Sequence, residues 1–153
     1  MEPAVKPAAF MTRTGVVGVL ATAGTLSAAK YLDTRDRYTD KVTVVEQVGK
    51  GFVELVESLR LDGPSTEATV RASLQPLLNE GADTIVLGCT HYPFLLPVMR
   101  RIAPEGVEFI DPAPAVACRV ADLAGPDAGG EGSVELVSSG SSEALEKLFK
   151  LIQ

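Results

Sequence analysis

The sequence has little of what several classes of protein require. It contains two cysteines and one histidine in 153 residues, which excludes a disulfide framework and cannot supply a conventional four-ligand zinc site alone. No apolar run approaches the ~20 residues that span a bilayer, and the first ten residues contain no secretory hydrophobic segment. We therefore expect a cytoplasmic chain with reduced thiols, no membrane partner and no metal.

Positive charge is also scarce. The chain has 14 Lys and Arg against 20 Asp and Glu, a net charge of −6, and its longest basic run is the pair Arg100-Arg101. Nucleic acids and anionic membranes bind through basic surfaces, so neither is expected as a partner. An anionic small molecule is still allowed, because hydroxyls and backbone N–H groups at helix starts can hold a carboxylate.

The apolar residues that are present alternate between strand-like and helical spacing. Continuous apolar runs predict strands at residues 16–21, 42–45, 84–87 and 107–110, in the pattern of a sheet that is covered on both faces. Two helical stripes lie between them, formed by Phe52, Leu55, Val56 and Leu59 and by Val70, Leu74, Leu77 and Leu78. The order predicts an α/β fold, a parallel sheet flanked by helices.

We divide the chain into three parts. Residues 1–11 are expected to form an extended segment, residues 12–117 an α/β domain, and residues 118–153 a C-terminal segment. Within the last part we expect a glycine-rich loop at 125–132, a strand at 134–137, and a helix with an apolar stripe of Leu145, Leu148, Phe149 and Ile152.

Polar residues follow each predicted strand. Ligands of open α/β sheets bind beyond the carboxyl ends of the strands, so these residues should share one edge. They are Thr22 and Thr25 after the first strand, Glu46 after the second, Cys89, Thr90 and His91 after the third, and Asp111 after the fourth.

The third of these strand ends contains the candidate chemistry, because it sets a thiol two residues before the only histidine. A cysteine lifted out of a sheet towards a helix start is easier to ionise beside helix N–H groups and a histidinium. Cys89 is therefore a candidate nucleophile or proton carrier. For an arbitrary Cys-x-His, a buried apolar Cys with a hydrogen-bonded His would be the commoner outcome.

The run from Gly81 to Pro93, Gly-Ala-Asp-Thr-Ile-Val-Leu-Gly-Cys-Thr-His-Tyr-Pro, closely resembles the second active-site segment of the glutamate racemases. Three further stretches resemble the same family in the same order, at residues 2–8, 18–25 and 51–57. The resemblance implies one domain of the two-domain racemase fold, and cofactor-independent interconversion of L- and D-glutamate for peptidoglycan synthesis. It extends to about residue 140 and is weakest across 126–133.

The resemblance also implies roles for single residues. A racemase of this kind removes the Cα proton on one face and returns a proton on the other, with one thiolate as base and one thiol as acid. Cys89 would be the second thiol of the pair and His91 its supporting histidine, and Thr22, Thr25, Thr90 and His91 would bind the substrate. Glu57 lies where the family commonly has an acidic residue, although a solvated helix carboxylate is the likelier role on sequence alone.

The family's upstream Asp-Ser and Cys-Asn-Thr turns have no counterpart in this sequence. The resemblance then implies the back part of a racemase, inactive alone, whose C-terminal segment packs on a missing N-terminal domain or associates with another copy. Cys118, the other thiol, is expected to be a buried structural residue.

Three other interpretations remain open. The Cys-Thr-His turn does not fix side-chain length, so a racemase for aspartate or another amino acid fits it. A non-catalytic module that binds a carboxylate or a sister subunit is a second alternative. A cysteine hydrolase is a distant third, because no Asn or Asp partner for His91 can be identified from the sequence.

Overall fold

The computed structural model describes residues 2–125 and 133–151. Four strands form one parallel sheet in the order β2-β1-β3-β4. The strands are β1 (Val16–Ala21), β2 (Thr43–Val48), β3 (Thr84–Leu87) and β4 (Glu108–Ile110). The prediction of a parallel α/β sheet is confirmed, and β1 and β3 have the predicted bounds.

Helices cover both faces of this sheet. They are α1 (Glu2–Met11), α2 (Ala23–Leu26), α3 (Ala29–Asp36), α4 (Phe52–Glu57), α5 (Pro64–Asn79), α6 (Leu96–Ile102), α7 (Ala113–Ala124) and α8 (Ser142–Lys150), with a 3₁₀ helix at Tyr92–Leu95. The second predicted stripe lies within α5, and the first lies within α4 except for Leu59, which follows the helix end with φ +57°. Gly81 follows α5 with φ +83°, the left-handed conformation that commonly ends a helix.

Alternation along the central strands divides the core into two layers. Leu20, Ile85 and Leu87 point to the face that is covered by α4, α5 and α6, where Leu74 and Leu77 are fully buried. The opposite layer contains α1 and α3, and includes Val17, Val19, Ala21 and Val86 of the strands. Because β1 and β3 contribute to both layers, their carboxyl ends are held rigidly from two sides.

The extended segment predicted at residues 1–11 is wrong, because residues 2–11 form α1. Ala4, Val5 and Ala8 are buried at helical spacing against the sheet, and this tertiary packing favours a helix even with Pro7 inside it.

The C-terminal part also differs from the prediction. The domain boundary placed at residue 117 falls inside α7, which runs unbroken to Ala124. Residues 134–137 form no strand, and Val134 and Val137 are 71% and 78% exposed, so neither hydrogen-bonded pairing nor burial supports one. Most of the glycine-rich loop, residues 126–132, lies outside the described residues.

The predicted C-terminal helix is present as α8, although Ile152 lies outside the described residues. The expectation that this segment packs on an N-terminal domain stays a prediction. Within the described residues, the partly buried Leu148 packs against the core beside α4 and the 3₁₀ helix. At least this residue of the apolar stripe of α8 has a partner within this domain.

Candidate active site

The site lies where the strand order changes direction. From β1 the chain moves to β2 on one side and then to β3 on the other, so β1 and β3 are neighbours whose following loops diverge. In an open parallel sheet, this geometry leaves a crevice at the carboxyl ends of the two strands. Gly88 N donates to Leu20 O at 2.8 Å, which extends the β1–β3 pairing by one residue, so that the pairing ends directly before Cys89.

Cys89 is partly buried and has an imidazole within reach. Its Sγ lies 3.8 Å from His91 Nδ1, and its carbonyl accepts from Tyr92 N at 3.1 Å, which closes the turn. The thiol also packs against the core layer that contains α4 and α5. A thiol in this position can donate its proton to a neutral imidazole whose Nδ1 carries the lone pair.

Glu57 lies on the other side of the histidine. Its Oε1 is 3.5 Å from His91 Nε2, at the end of α4, and its side chain is 65% exposed. A carboxylate at Nε2 favours the tautomer with the proton on Nε2 and stabilises the imidazolium once Nδ1 gains a proton. The described residues thus contain a Cys89–His91–Glu57 chain of contacts.

Tyr92 supports this turn from beneath. Its side chain is fully buried, its hydroxyl donates to Gly49 O at 3.3 Å, and its ring meets Phe52 edge to face with centroids 5.0 Å apart. Burial, followed by the nearby charge of a Cys89 thiolate, raises the pKa of Tyr92 to about 12. The phenol therefore stays protonated at neutral pH and serves as a fixed donor.

Gly49 allows this close approach. A Cβ added at this position would lie 2.6 Å from the Tyr92 hydroxyl and 2.9 Å from Phe52. The contact with Tyr92 therefore supplies a physical reason for a glycine at this position.

The two threonines after β1 have different positions. Thr22 caps the short helix α2, because its Oγ1 accepts from Thr25 N at 3.3 Å, and the two hydroxyls lie 2.9 Å apart. Thr25 lines a cleft of about 570 Å³ together with Cys89 and Thr90. Thr22 therefore orients Thr25, which is the member of the pair that faces the cleft.

This cleft brings together residues from three strand ends. It is lined by Thr25, Gly88, Cys89, Thr90, Pro93, Asp111, Pro112, Ala113, Val116 and Ala117. Asp111 was not among the predicted site residues, although its position directly after β4 was the signal that could have selected it. Its Oδ1 accepts from Ala113 N at 2.9 Å, which fixes the carboxylate at the start of α7.

His91 and Glu57 do not line this cleft. Together with residues of the C-terminal segment, including Ser141, Leu145 and Leu148, they line a separate space of about 450 Å³. Thr90 lies between the two, because it lines the cleft and also a smaller space beside His91 that α8 covers. The imidazole therefore contacts the thiol but does not itself line the cleft.

The remaining predictions concern Cys118, Glu46 and metal ions. Cys118 is exposed on α7, so the expectation of a buried structural thiol is wrong. Glu46 accepts from Tyr31 and Arg35 at 2.7 and 3.0 Å and joins β2 to α3. Residues 2–125 and 133–151 contain no cluster of three metal-binding side chains, and none of their helices combines the length and apolarity needed to cross a membrane.

Comparison with known proteins gives one family. The family model described as Asp/Glu/Hydantoin racemase matches residues 1–120. A glutamate racemase of Pseudomonas putida is 44% identical over 99% of this chain and 59% of its own length. One from Roseiflexus is 53% identical over 80% of this chain and 45% of its own length. The chain thus spans about half to three fifths of these relatives.

Solved structures show the same likeness. The crystal structure of Escherichia coli glutamate racemase, in complex with L-glutamate and the activator UDP-MurNAc-Ala, has a TM-score of 0.80 and 30% identity, covering 97% of this chain and 58% of that one. Glutamate racemase from Thermus thermophilus, in complex with beta-chloro-D-alanine, has a TM-score of 0.71 and 28% identity, covering 99% and 56%.

Proposed function

The chain belongs to the Asp/Glu/hydantoin racemase family, and from that premise we propose that its cleft is one proton-transferring half of a glutamate racemase site. The observation that carries this proposal is the Cys89 thiol, which lines the cleft while its sulfur lies 3.8 Å from His91 Nδ1. The same edge of the sheet offers the Thr25 and Thr90 hydroxyls to the substrate.

The chemistry of this half consists of proton transfers between His91, Cys89 and one face of the substrate Cα. In one direction the Cys89 thiol passes its proton to His91 Nδ1, and the resulting thiolate removes the Cα proton on the face of glutamate that it meets. In the other direction the thiol gives its proton to the Cα carbanion, and His91 returns one to the sulfur. Glu57 stabilises the imidazolium in both directions, and no group is oxidised or reduced.

Racemisation requires a second proton carrier on the opposite face of Cα. Within the described residues, Cys118 is the other thiol, and it is exposed on α7 without lining the cleft. We therefore place the second carrier on another domain or subunit and expect this chain alone to bind glutamate without inverting it. In the complete enzyme, D-glutamate would be supplied in the cytoplasm for peptidoglycan synthesis.

The test is incubation of the chain with L-glutamate and with D-glutamate in D₂O. Chirality is followed by polarimetry and Cα deuterium by proton NMR. We expect no inversion, and any deuterium that enters should do so with retention of configuration and be lost in Cys89→Ser. Inversion of both enantiomers by the chain alone would show that a second carrier is already present and would contradict the assignment.

The same preparation distinguishes glutamate from aspartate. Addition of glutamate should shift the backbone amide resonances of Thr25, Cys89 and Thr90 at lower concentration than aspartate does. A stronger response to aspartate would assign the site to the aspartate racemases. Binding that is unchanged in Cys89→Ser, with no deuterium exchange in the wild-type chain, would favour a non-catalytic carboxylate-binding module.

A further inference from the structure

One residue of the cleft has no role in the proton transfer. Asp111 carries the only formal charge among the described residues that line the cleft, and its side chain is partly buried. An amino acid brings two kinds of charge to such a site, its carboxylates and its ammonium group. The hydroxyls of Thr25 and Thr90 can serve the carboxylates, whereas an ammonium group requires acceptors, of which an ionised carboxylate is the strongest.

The backbone fixes where this carboxylate lies. β3 and β4 are paired in parallel up to Val86 and Ile110, and Asp111 follows the last paired residue of β4 directly. Cys89 lies two residues beyond the end of β3. The two side chains therefore leave neighbouring strand ends at the same edge and meet the same cleft.

Asp111 is also held in a defined orientation. Its Oδ1 accepts a hydrogen bond at 2.9 Å from the backbone N–H of Ala113, which is the first residue of α7. A carboxylate offers about four acceptor positions, so this bond leaves capacity for a ligand. A carboxylate that is oriented before binding loses less conformational entropy when the ligand arrives.

We propose that Asp111 binds the α-ammonium group of the amino acid in the cleft and so selects amino acids over dicarboxylates that lack the amine. This inference rests on the proposed function, because it assumes that glutamate occupies the cleft beside Cys89. It adds a specificity determinant on the strand next to the thiol. Asp111 accepts an N–H from the substrate and takes no part in moving the Cα proton.

The alternative role of Asp111 is purely structural, as the acceptor for the Ala113 N–H at the start of α7. The substitution Asp111→Asn separates the two roles, since an asparagine oxygen still accepts from Ala113 N but carries no charge. Asp111→Ala removes both. Asp122→Asn is a matched control, because it removes one negative charge from α7 at a position that does not line the cleft.

The experiment measures binding of glutamate and of glutarate, the same dicarboxylate without the amine, by NMR titration of the Cys89 and Thr90 amides. The wild-type chain and Asp122→Asn should bind glutamate about tenfold more tightly than glutarate, the size expected for one partly exposed charge-assisted hydrogen bond. Asp111→Asn should lose that preference by weakening glutamate alone. Glutarate binding should stay equal or improve, because a repulsive charge has gone.

The outcomes distinguish failure of the proposed role of Asp111 from failure of the proposed racemase function. Equal binding of glutamate by the wild-type chain and Asp111→Asn, or parallel losses for both ligands, would overturn the role of Asp111 and leave the proposed function in place. A wild-type chain that shows no preference between glutamate and glutarate would overturn it without any variant. Failure of the wild-type chain to bind either ligand would overturn the proposed function as well.

Discussion

At the scale of single residues, the geometry around Cys89 depends on neighbours that the Cys-Thr-His pattern does not include. Tyr92 anchors the turn from below through Gly49, and Glu57 reaches the far nitrogen of the imidazole from α4. The sequence could predict which residues lie at the strand end, since they are contiguous. It could not predict the role of Gly49, because the contact with Tyr92 joins positions 43 residues apart. Asp111 differs, because the fold class placed it at the edge of the sheet with Cys89, although it was not selected as a site residue.

Replacement of Gly49 tests the support beneath the turn. Gly49→Ala places a methyl group 2.6 Å from the Tyr92 hydroxyl, which must move together with the turn. We expect a loss of about 1–3 kcal/mol in the free energy of unfolding, measured in urea. Gly24→Ala is the control, because a Cβ there meets nothing within 4 Å and should leave stability equal or slightly improved. Equal stability of both variants would contradict the tight packing described for Tyr92.

At the scale of elements, the sheet was predictable and the chain ends were not. Strands with continuous apolar runs are buried on both faces, so they can be recognised in the sequence without knowing which elements pack against them. α1 depends on burial of small residues against the sheet, and the segment at 134–137 has apolar residues but no strand to pair with. The spacing of apolar residues indicates which secondary structure a segment prefers, whereas tertiary contacts determine which structure a short segment adopts.

The connection between α1 and β1 provides an element-scale test. Asp83, just before β3, accepts from Thr12 Oγ1 at 2.6 Å and from the backbone N–H groups of Arg13 and Thr14 at 2.8 and 3.1 Å. Burial opposes ionisation of this carboxyl, but these bonds together with one from Thr84 outweigh it and lower the pKa of Asp83 to about 2. The ionised side chain thus ties the loop after α1 to the start of β3.

A folded-state pKa below the unfolded value of 3.8 gives stability that is present above about pH 4 and lost as the pH falls through 2. The difference corresponds to about 2 kcal/mol. Urea unfolding at pH 6.5 and pH 2 should show the wild-type chain losing about that much more stability than Asp83→Asn, which has no such group to protonate. Parallel losses in the two proteins would contradict the role of Asp83.

At the scale of the whole molecule, the cleft exists because three parallel strands end at one edge where the order of strands reverses. The fold class alone predicted that residues after the strands share one edge, and Thr25, Cys89 and Asp111 do so, whereas Glu46 lies within β2 and outside the cleft. It did not predict that α7 would form one wall of the cleft, nor that α8 would line a second space beside His91. Those placements come from packing between elements that are distant along the chain.

The most direct test of the account is whether glutamate shields the Cys89 sulfur. The chain is treated with iodoacetamide at increasing glutamate concentration, and alkylation of the peptides containing Cys89 and Cys118 is followed by mass spectrometry. Cys118 is exposed outside the cleft and serves as an internal control. We predict a saturable fall in the alkylation rate of Cys89 with no change at Cys118. Alkylation of Cys89 that proceeds at the same rate at every glutamate concentration would contradict the placement of the substrate beside this thiol.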